Sequence, residues 1–416
     1  MSDSDRIVIV GAGLAGVRTA ETLRDDGFDG EVVILGMEKR LPYDRPPLSK
    51  GYLNGQTPED EVTLHPAEWY DDHRIDLRLG TVVMSIEAAE HQVVVNDGTR
   101  LGYAKLVLAT GSSPRRLDLP GSTLGGVVYL RTYDDCLRLK AALTQASEGS
   151  LTDVATIGGG WIGLEVAAAF RQAGANVTVL EAGGPPLSAI LGITAAQPFS
   201  DLHREHGVDI RTGVTVTGLE ATEDSQKVTA VVLEGGTTVP AGLVLVGIGA
   251  IPNVGLAEGA GLTVANGVVT DGQGRTSDPD IFAVGDISRH HNAAVGEQLR
   301  VEHWANALNQ PLSVSRGLLG KEGDDEKPPY FFTDQYDLGM EYAGYNRADD
   351  EVVVRGDLTK REFVAFWLRE GRLVAGMNVN VWDVIDDIQK LIVDRTPVDA
   401  TKLADPQVPI LQATQG

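Results

Sequence analysis

The sequence predicts an α/β protein with two Rossmann-like dinucleotide-binding domains and a C-terminal α+β domain. Three observations carry that expectation. A strand pattern, a glycine-rich turn and a helix pattern follow one another at the start of the chain. The same succession returns near residue 153. Beyond about residue 320 the hydrophobic pattern changes to antiparallel strands and a closing helix.

The first unit opens with the β-branched run "RIVIV" (Arg6 to Val10). It meets Gly11-Ala12-Gly13-Leu14-Ala15-Gly16, and a helix pattern follows in "LAGVRTAETLRDDG". Strand, GxGxxG and helix in that order turn a helix N-terminus toward a pyrophosphate. The next strand is "EVVILG", and Glu38 stands 22 residues after Gly16. That is close to the offset of about 20 at which an acid grips ribose hydroxyls.

The second unit repeats the design. "DVATIG" leads into Gly158-Gly159-Gly160-Trp161-Ile162-Gly163 and the helix pattern "LEVAAAFRQAG". The strand "NVTVL" then ends at Glu181, 18 residues after Gly163. Two such units imply two dinucleotides, a resident FAD and a transient nicotinamide. Two more segments agree. "KLVLATGSSPR" is a buried strand running into Ala109-Thr110-Gly111, and "DIFAVGDIS" is a strand ending in Gly285-Asp286. Asp286 suits close approach to a polar cofactor chain; it also suits a helix N-cap, and the two roles are compatible.

Composition excludes other classes. The 416 residues carry a formal charge of −24, so no basic face is expected for nucleic acid. The single cysteine, Cys136, cannot form an internal disulfide, a CxxC pair or a thiolate metal cage, and no metal site is expected. It reads as a buried small hydrophobe in the helix-like "YDDCLRLK". No signal-peptide pattern and no membrane-length apolar run occur, so a soluble, cytoplasmic protein is expected. One segment stands out: "LPYDRPPLSKGYL" (Leu41 to Leu53) has three prolines around Arg45 and Lys50. Proline restricts itself and its predecessor, which predicts a stiff, mostly extended stretch.

Taken together these residues resemble the two-dinucleotide flavoprotein reductases shaped like glutathione reductase, and more narrowly the ferredoxin reductases that serve oxygenases. The resemblance runs from Ile7 to about Leu403. It rests on "PYDRPPLSK", "LATGSSPR", "IGGGWIGLEVA", "VGIGAIPN" (which contains Gly249), "IFAVGDIS", "RVEHWANALNQ" and "PPYFFTDQYD". It implies that Gly11, Gly13, Leu14, Ala15 and Gly16 hold the FAD pyrophosphate and that Glu38, with Met37 beside it, takes the adenosine ribose. Arg45, Lys50, Val83, Ala109, Thr110, Gly111, Arg131, Gly249 and Gly285 become FAD-side contacts. Asp286 would bind the ribityl chain, with His303 and Trp304 by the pyrimidine end of the ring system. Lys50 is expected close to flavin N5, its charge balanced by Glu165 on the first turn of the second unit's helix; these two are the candidate catalytic residues. Gly158, Gly160, Ile162, Gly163 and Glu181 would bind the nicotinamide dinucleotide. A carboxylate at position 181 favours NADH over NADPH.

Two departures are visible. Where relatives often carry arginines after this acid, the chain reads Ala182 to Ala189 without one. Phe332 stands where relatives often place Trp.

The expected organisation is discontinuous: residues 1–114 and 241–320 for FAD, 115–240 for NAD(H), and 321–416 as an α+β interface domain, in a monomer or homodimer. A charged linker is expected at Leu318 to Tyr330. The resulting activity is NADH:ferredoxin reduction, with a two-iron two-sulfur ferredoxin docking on a basic patch of "SRHH" (Ser288 to His291), Arg289, Arg300, Arg316 and Arg347. A rubredoxin or general NADH:acceptor reductase remains an alternative, as does a slow NADH-binding flavoprotein resembling apoptosis-inducing factor.

Overall fold

A computed structural model describes residues 5–222, 224, 226–323 and 327–415. Residues 324–326 of the expected linker, and residues 1–4 at the N-terminus, lie outside the described residues. The chain divides into two compact units. One is Met1–Asp44 with Glu59–Ser113 and Ile251–Phe331; the other is Arg45–Pro58 with Pro114–Ala250 and Phe332–Gly416.

The first unit is built on a five-stranded parallel sheet. Its order is Ile281–Ala283, Lys105–Leu108, Arg6–Val10, Glu31–Gly36, Ile75–Leu79. The inner strands are covered on both faces, which is why they are apolar in long runs, whereas the edge strand Ile75–Leu79 alternates apolar with charged residues. Side chains of successive residues point to opposite faces. Ile7 and Ile9 thus pack with Val17, Ala20 and Leu23 of the helix Leu14–Asp25 and with Val314 and Leu318 of the helix Trp304–Leu318. Val8 and Val10 pack on the other side with Ile86, Val93 and Leu101, from the antiparallel sheet Val83–Glu87, Gln92–Val95, Arg100–Gly102.

The second unit repeats the parallel sheet in the order Asp209–Thr212, Asn176–Glu181, Asp153–Ile157, Leu243–Val246, Val127–Val128. The helix Trp161–Gln172 follows its central strand, as Leu14–Asp25 follows Arg6–Val10. A second helical stretch, Ser188–Glu205, is interrupted at Gly192, whose φ of 74° leaves the helical region. This unit also carries the C-terminal antiparallel sheet. Strands Glu351–Asp357, Glu362–Arg369 and Arg372–Val379 are antiparallel, as expected beyond about residue 320, and the helix Ile385–Asp394 packs on them through Ile388, Leu391 and Ile392. Tyr330–Gln335 and Leu338–Gly344 complete the sheet.

The proline segment departs from its expectation. Pro46–Ser49 is a turn of 3-10 helix, and Arg45, ahead of Pro46, has φ −86° and ψ −35°. A helical turn does not use the N–H groups of its first residues, so two leading prolines cost it no hydrogen bond. Pre-proline crowding disfavours the helical conformation at Arg45, and tertiary ties overcome it. The Cys136 thiol donates to the Leu48 carbonyl at 3.2 Å, and the Tyr52 and Tyr133 hydroxyls are hydrogen-bonded. Cys136 is fully buried, and burial pushes its thiol up to about 12.

Candidate functional site

The two glycine turns are near copies. Gly13 caps its helix with φ −79° and ψ 179°, and Gly160 caps the equivalent one with φ −78° and ψ 177°. Neither helix has a side-chain cap, and neither has an acid in its first turn. The helix Tyr133–Ser147, by contrast, is closed by a full capping box from Thr132 and Asp135. Two helix N-termini therefore lack a side-chain cap and a first-turn acid, and their positive dipole ends suit an anion.

The glycines are required by space. Gly11 has φ +121°, and a Cβ there would fall on the carbonyl of Ala109. A Cβ on Gly16 would strike the carbonyl of Gly11. In the second unit, a Cβ on Gly158 would meet the carbonyl of Gly247, and one on Gly163 that of Gly158. Both cradles thus fit a pyrophosphate that approaches the backbone closely.

In the first unit the turn Gly285–Ile287 comes close to the helix start, since a Cβ on Gly285 would lie 2.8 Å from that of Ala15. Gln310, fully buried, holds the turn by accepting from Gly285 N–H at 2.7 Å and donating to Ser288 Oγ at 3.0 Å. Asp286 does not cap a helix; its Oδ2 accepts from Ser112 Oγ at 2.7 Å. Glu38 accepts from the Tyr43 hydroxyl at 3.1 and 2.9 Å, while Met37 is 69% exposed. Thr110 is tied to Asn253 by a pair of bonds: Thr110 Oγ1 donates to the Asn253 carbonyl at 2.9 Å, and Asn253 Nδ2 donates to the Thr110 carbonyl at 2.8 Å. The Trp304 indole donates to Asp44 at 2.7 Å.

His303 stands at the N-cap of the helix Trp304–Leu318 beside Phe331, with ring centroids 4.7 Å apart. Burial pushes its imidazole down to about 4, with Asp286 pulling the other way. Its buried Nδ1 has no hydrogen-bond partner among the described residues. A buried polar atom in that condition fits a polar cofactor edge.

In the second unit, Glu181 accepts N–H bonds from Gly159 at 2.7 Å and Gly183 at 2.9 Å. The carboxylate is thereby held at the mouth of the glycine turn. Ile162, within the Gly158–Gly163 motif, is 41% exposed. Gly249 has φ +97° and accepts from Arg115 N–H at 2.8 Å.

Lys50 and Glu165 are brought together. Lys50 Nζ lies 2.8 Å from Glu165 Oε1. Ser49 Oγ donates to Oε2 at 2.5 Å, and Thr333 Oγ1 to Oε1 at 2.5 Å. Lys50 Nζ also sits 5.3 Å from the centroid of the Phe332 ring. Glu165 is 4% exposed, and a carboxylate withdrawn from water is tolerated when charge and hydrogen bonds answer it together. It is the fifth residue of the helix Trp161–Gln172, so it stands one turn later than expected. Arg45, Lys50 and Arg131 all belong to this second unit.

The basic patch is not assembled as expected. His290 and Ser288 are fully buried, and the Arg300 side chain is 12% exposed, bonded to Glu302 and to the Asp286 carbonyl. Arg289 lies across from Arg300 and donates to the Ala265 carbonyl at 3.0 Å. Arg316 is half-buried in the last turn of the helix Trp304–Leu318, and Arg347 belongs to the other unit. The alternating strand Ser288–Asn292 turns every second side chain inward, which a charge count along the sequence does not register.

Sequence reasoning passed over Ser49, Thr333, Ser112, Gln310 and Asp44. Each lies inside or beside a motif already singled out, but its partner is distant in the chain.

The family model for pyridine nucleotide-disulphide oxidoreductases matches residues 5–310, and the reductase C-terminal model matches 330–414. The chain belongs to the pyridine nucleotide-disulphide oxidoreductase family. Putidaredoxin reductase of Pseudomonas putida is 40% identical over 413 residues, covering 99% of this chain and 97% of its own. The ferredoxin–NAD(+) reductase component of the anthranilate 1,2-dioxygenase system of Burkholderia cepacia is 41% identical, covering 97% and 98%. The crystal structure of the covalent putidaredoxin reductase–putidaredoxin complex matches with a TM-score of 0.93 at 40% identity, covering 98% of this chain and 97% of that one. As an oxidoreductase of this family, the chain has places for FAD and for a nicotinamide dinucleotide. Its one cysteine leaves it without the intramolecular redox disulphide from which the family is named.

Proposed function

We propose that this chain is an FAD-dependent NADH:ferredoxin reductase serving a monooxygenase or ring-hydroxylating dioxygenase. The observation that carries the reading is the pair of uncapped glycine cradles combined with a buried Lys50–Glu165 pair in a chain that has one cysteine. FAD, when bound, supplies the conversion between two-electron and one-electron transfer.

The protein's own groups do the rest. Gly11, Gly13, Leu14, Ala15 and Gly16 admit the FAD pyrophosphate, Glu38 takes ribose hydroxyls, and Asp286 the polar chain. Met37, Arg45, Val83, Ala109, Thr110, Gly111, Arg131, Gly249, Gly285, His303 and Trp304 complete the FAD contacts in this reading. Residues 1–114 and 241–320 carry FAD, 115–240 carry the nicotinamide nucleotide, and 321–416 form the interface domain. Lys50 holds a positive charge and a proton for the reduced cofactor, and Glu165 keeps that charge in place.

NADH is the preferred donor. Glu181 already accepts two backbone N–H bonds, and its negative charge repels a 2′-phosphate. The missing arginines after Glu181 withhold the compensating positive charge. The acceptor in this reading is a ferredoxin, the partner that the relatives are named for, of the two-iron two-sulfur type, a detail those names do not carry, with Arg289 as its first candidate contact.

Stopped-flow reduction by NADH and NADPH, followed by turnover with a panel of ferredoxins, tests the reading. Rapid bleaching of bound flavin by NADH and catalytic reduction of at least one ferredoxin are expected. Slow bleaching by both nucleotides, or turnover with no ferredoxin and no rubredoxin, would exclude a carrier reductase.

A further inference from the structure

Glu165 is the near end of a longer chain of buried polar groups. Thr333 and Gln335 lie two apart on the strand Tyr330–Gln335, so their side chains share a face. Both are buried, at 0% and 1% exposure. Gln335 Nε2 lies 3.3 Å from Thr333 Oγ1, and Gln335 Oε1 lies 2.9 Å from His203 Nε2. His203 is fully buried on the helical stretch Ser188–Glu205, and its Nδ1 has no partner among the described residues. Lys50, Glu165, Thr333, Gln335 and His203 therefore form one continuous line within the second unit.

The direction of the line follows from donor counting. An ionised carboxylate only accepts, and a threonine hydroxyl has one hydrogen to give. Thr333 is 2.5 Å from Glu165, so its hydrogen goes there. Its other neighbour must then donate, which turns the Gln335 amide nitrogen toward Thr333 and its oxygen toward His203. An amide oxygen only accepts, so the hydrogen of His203 sits on Nε2.

We propose that Thr333, Gln335 and His203 are positioning residues that form a one-way hydrogen-bond chain, fixing the Glu165 carboxylate toward Lys50, with His203 locked as the neutral Nε2–H tautomer. Burial pushes the His203 imidazole down to about 4, which agrees with a ring that stays neutral. The chain gives Glu165 a donor that does not depend on Lys50. One oxygen is consequently held while the lysine ammonium is free to exchange its proton. The functional part of this inference rests on the proposed role of Lys50 and Glu165; the tautomer does not.

The test has two arms on the FAD-loaded protein. Nitrogen-15 NMR of the histidine rings should show His203 neutral at neutral pH, with Nε2 protonated and Nδ1 bare, and its resonances should shift in T333V. An Nδ1–H tautomer, an imidazolium, or identical His203 spectra in wild type and T333V would overturn the chain. In stopped-flow reduction by NADH, T333V should be slower by roughly tenfold and T333S within about twofold of wild type. T333V at wild-type speed, with E165Q slow, would overturn the positioning role while leaving the reading of Lys50 and Glu165 intact. Wild-type speed in E165Q as well would remove that reading, and the NMR arm would still decide the tautomer. If T333V does not fold, T333S and Q335L carry the same comparison. Q335L removes the partner of His203 Nε2 and should move its resonances.

Discussion

At the scale of single residues, the Lys50–Glu165 pair sets a lysine side chain 15% exposed against a carboxylate side chain 2% exposed. Glu165 to Gln keeps the shape and removes the charge that answers Lys50. A part-buried ammonium left without its counter-charge is no longer held in place by an ion pair. Reduction by NADH should slow by about 10- to 100-fold in E165Q, with flavin content unchanged, as read by single-turnover bleaching and the visible spectrum. Wild-type rates would show that the pair serves folding alone. Glu181 makes a separate prediction. Replacing it by Gln keeps an acceptor oxygen for only one of the Gly159 and Gly183 N–H groups, which bond different carboxylate oxygens, and removes the repulsion toward a 2′-phosphate. The ratio of kcat/KM for NADH over NADPH should fall by about tenfold or more in E181Q. An unchanged ratio would place the discrimination elsewhere.

At the scale of the element, the two strand–turn–helix units allow a matched experiment. Gly16 and Gly163 occupy equivalent places, and in each a Cβ would meet the carbonyl of the first glycine of its own turn. Alanine at either should cost about 1–3 kcal/mol of stability through overpacking. The functional consequences should separate. G16A should emerge depleted of flavin, whereas G163A should remain yellow but require far more NADH. Flavin content after purification and the KM for NADH measure the two. Flavin loss in G163A would show that the assignment of the cradles is reversed. These elements were legible in the sequence because the glycine spacing, the apolar strands and the following acid are all local. The 3-10 turn at Pro46–Ser49 was not, since its conformation depends on the thiol of Cys136 and on Tyr133.

At the scale of the whole molecule, each unit buries an imidazole that prefers to stay neutral. His203 lies in the second and His290 in the first; burial lowers both from 6.5 to about 4. Both rings are fully buried. Between those values the unfolded chain holds a proton that the folded chain refuses, so stability is present above 6.5 and is lost as pH falls toward 4. Each histidine contributes a slope of about 1.4 kcal/mol per pH unit in that window. The urea midpoint should therefore drop between about pH 6.5 and about pH 4.5, and H290L should flatten the slope by about one proton. A midpoint independent of pH over that range would show that the rings are hydrated. The surface makes a different prediction. Reversing Arg289 to Glu should slow ferredoxin reduction, more at low salt, while leaving NADH-to-ferricyanide turnover unchanged. Arg300 is unsuited to the same test because it bonds the Asp286 carbonyl, and its reversal would disturb the candidate FAD site itself. Equal loss in both assays for R289E would show that Arg289 supports the fold.

By itself the sequence determined the two strand–glycine turn–helix units, the places of Glu38 and Glu181 after them, the α+β character of the last ninety or so residues and, with the family resemblance, the expectation that Lys50 pairs with Glu165. The first three are written in short-range spacing, where backbone geometry leaves few alternatives; the last came through family resemblance. Only the tertiary structure decided which polar groups are consumed by neighbours. It buried His290 and tied the Arg300 guanidinium to Glu302 and the Asp286 carbonyl, away from the expected basic patch; it also gave Glu165 its two hydroxyl donors and ran the line from Thr333 to His203. The ties of Glu165 to Ser49 and Thr333, and of Gln335 to His203, join residues more than a hundred positions apart. Burial and hydrogen-bond direction are properties of the packed chain, and no window of sequence contains them.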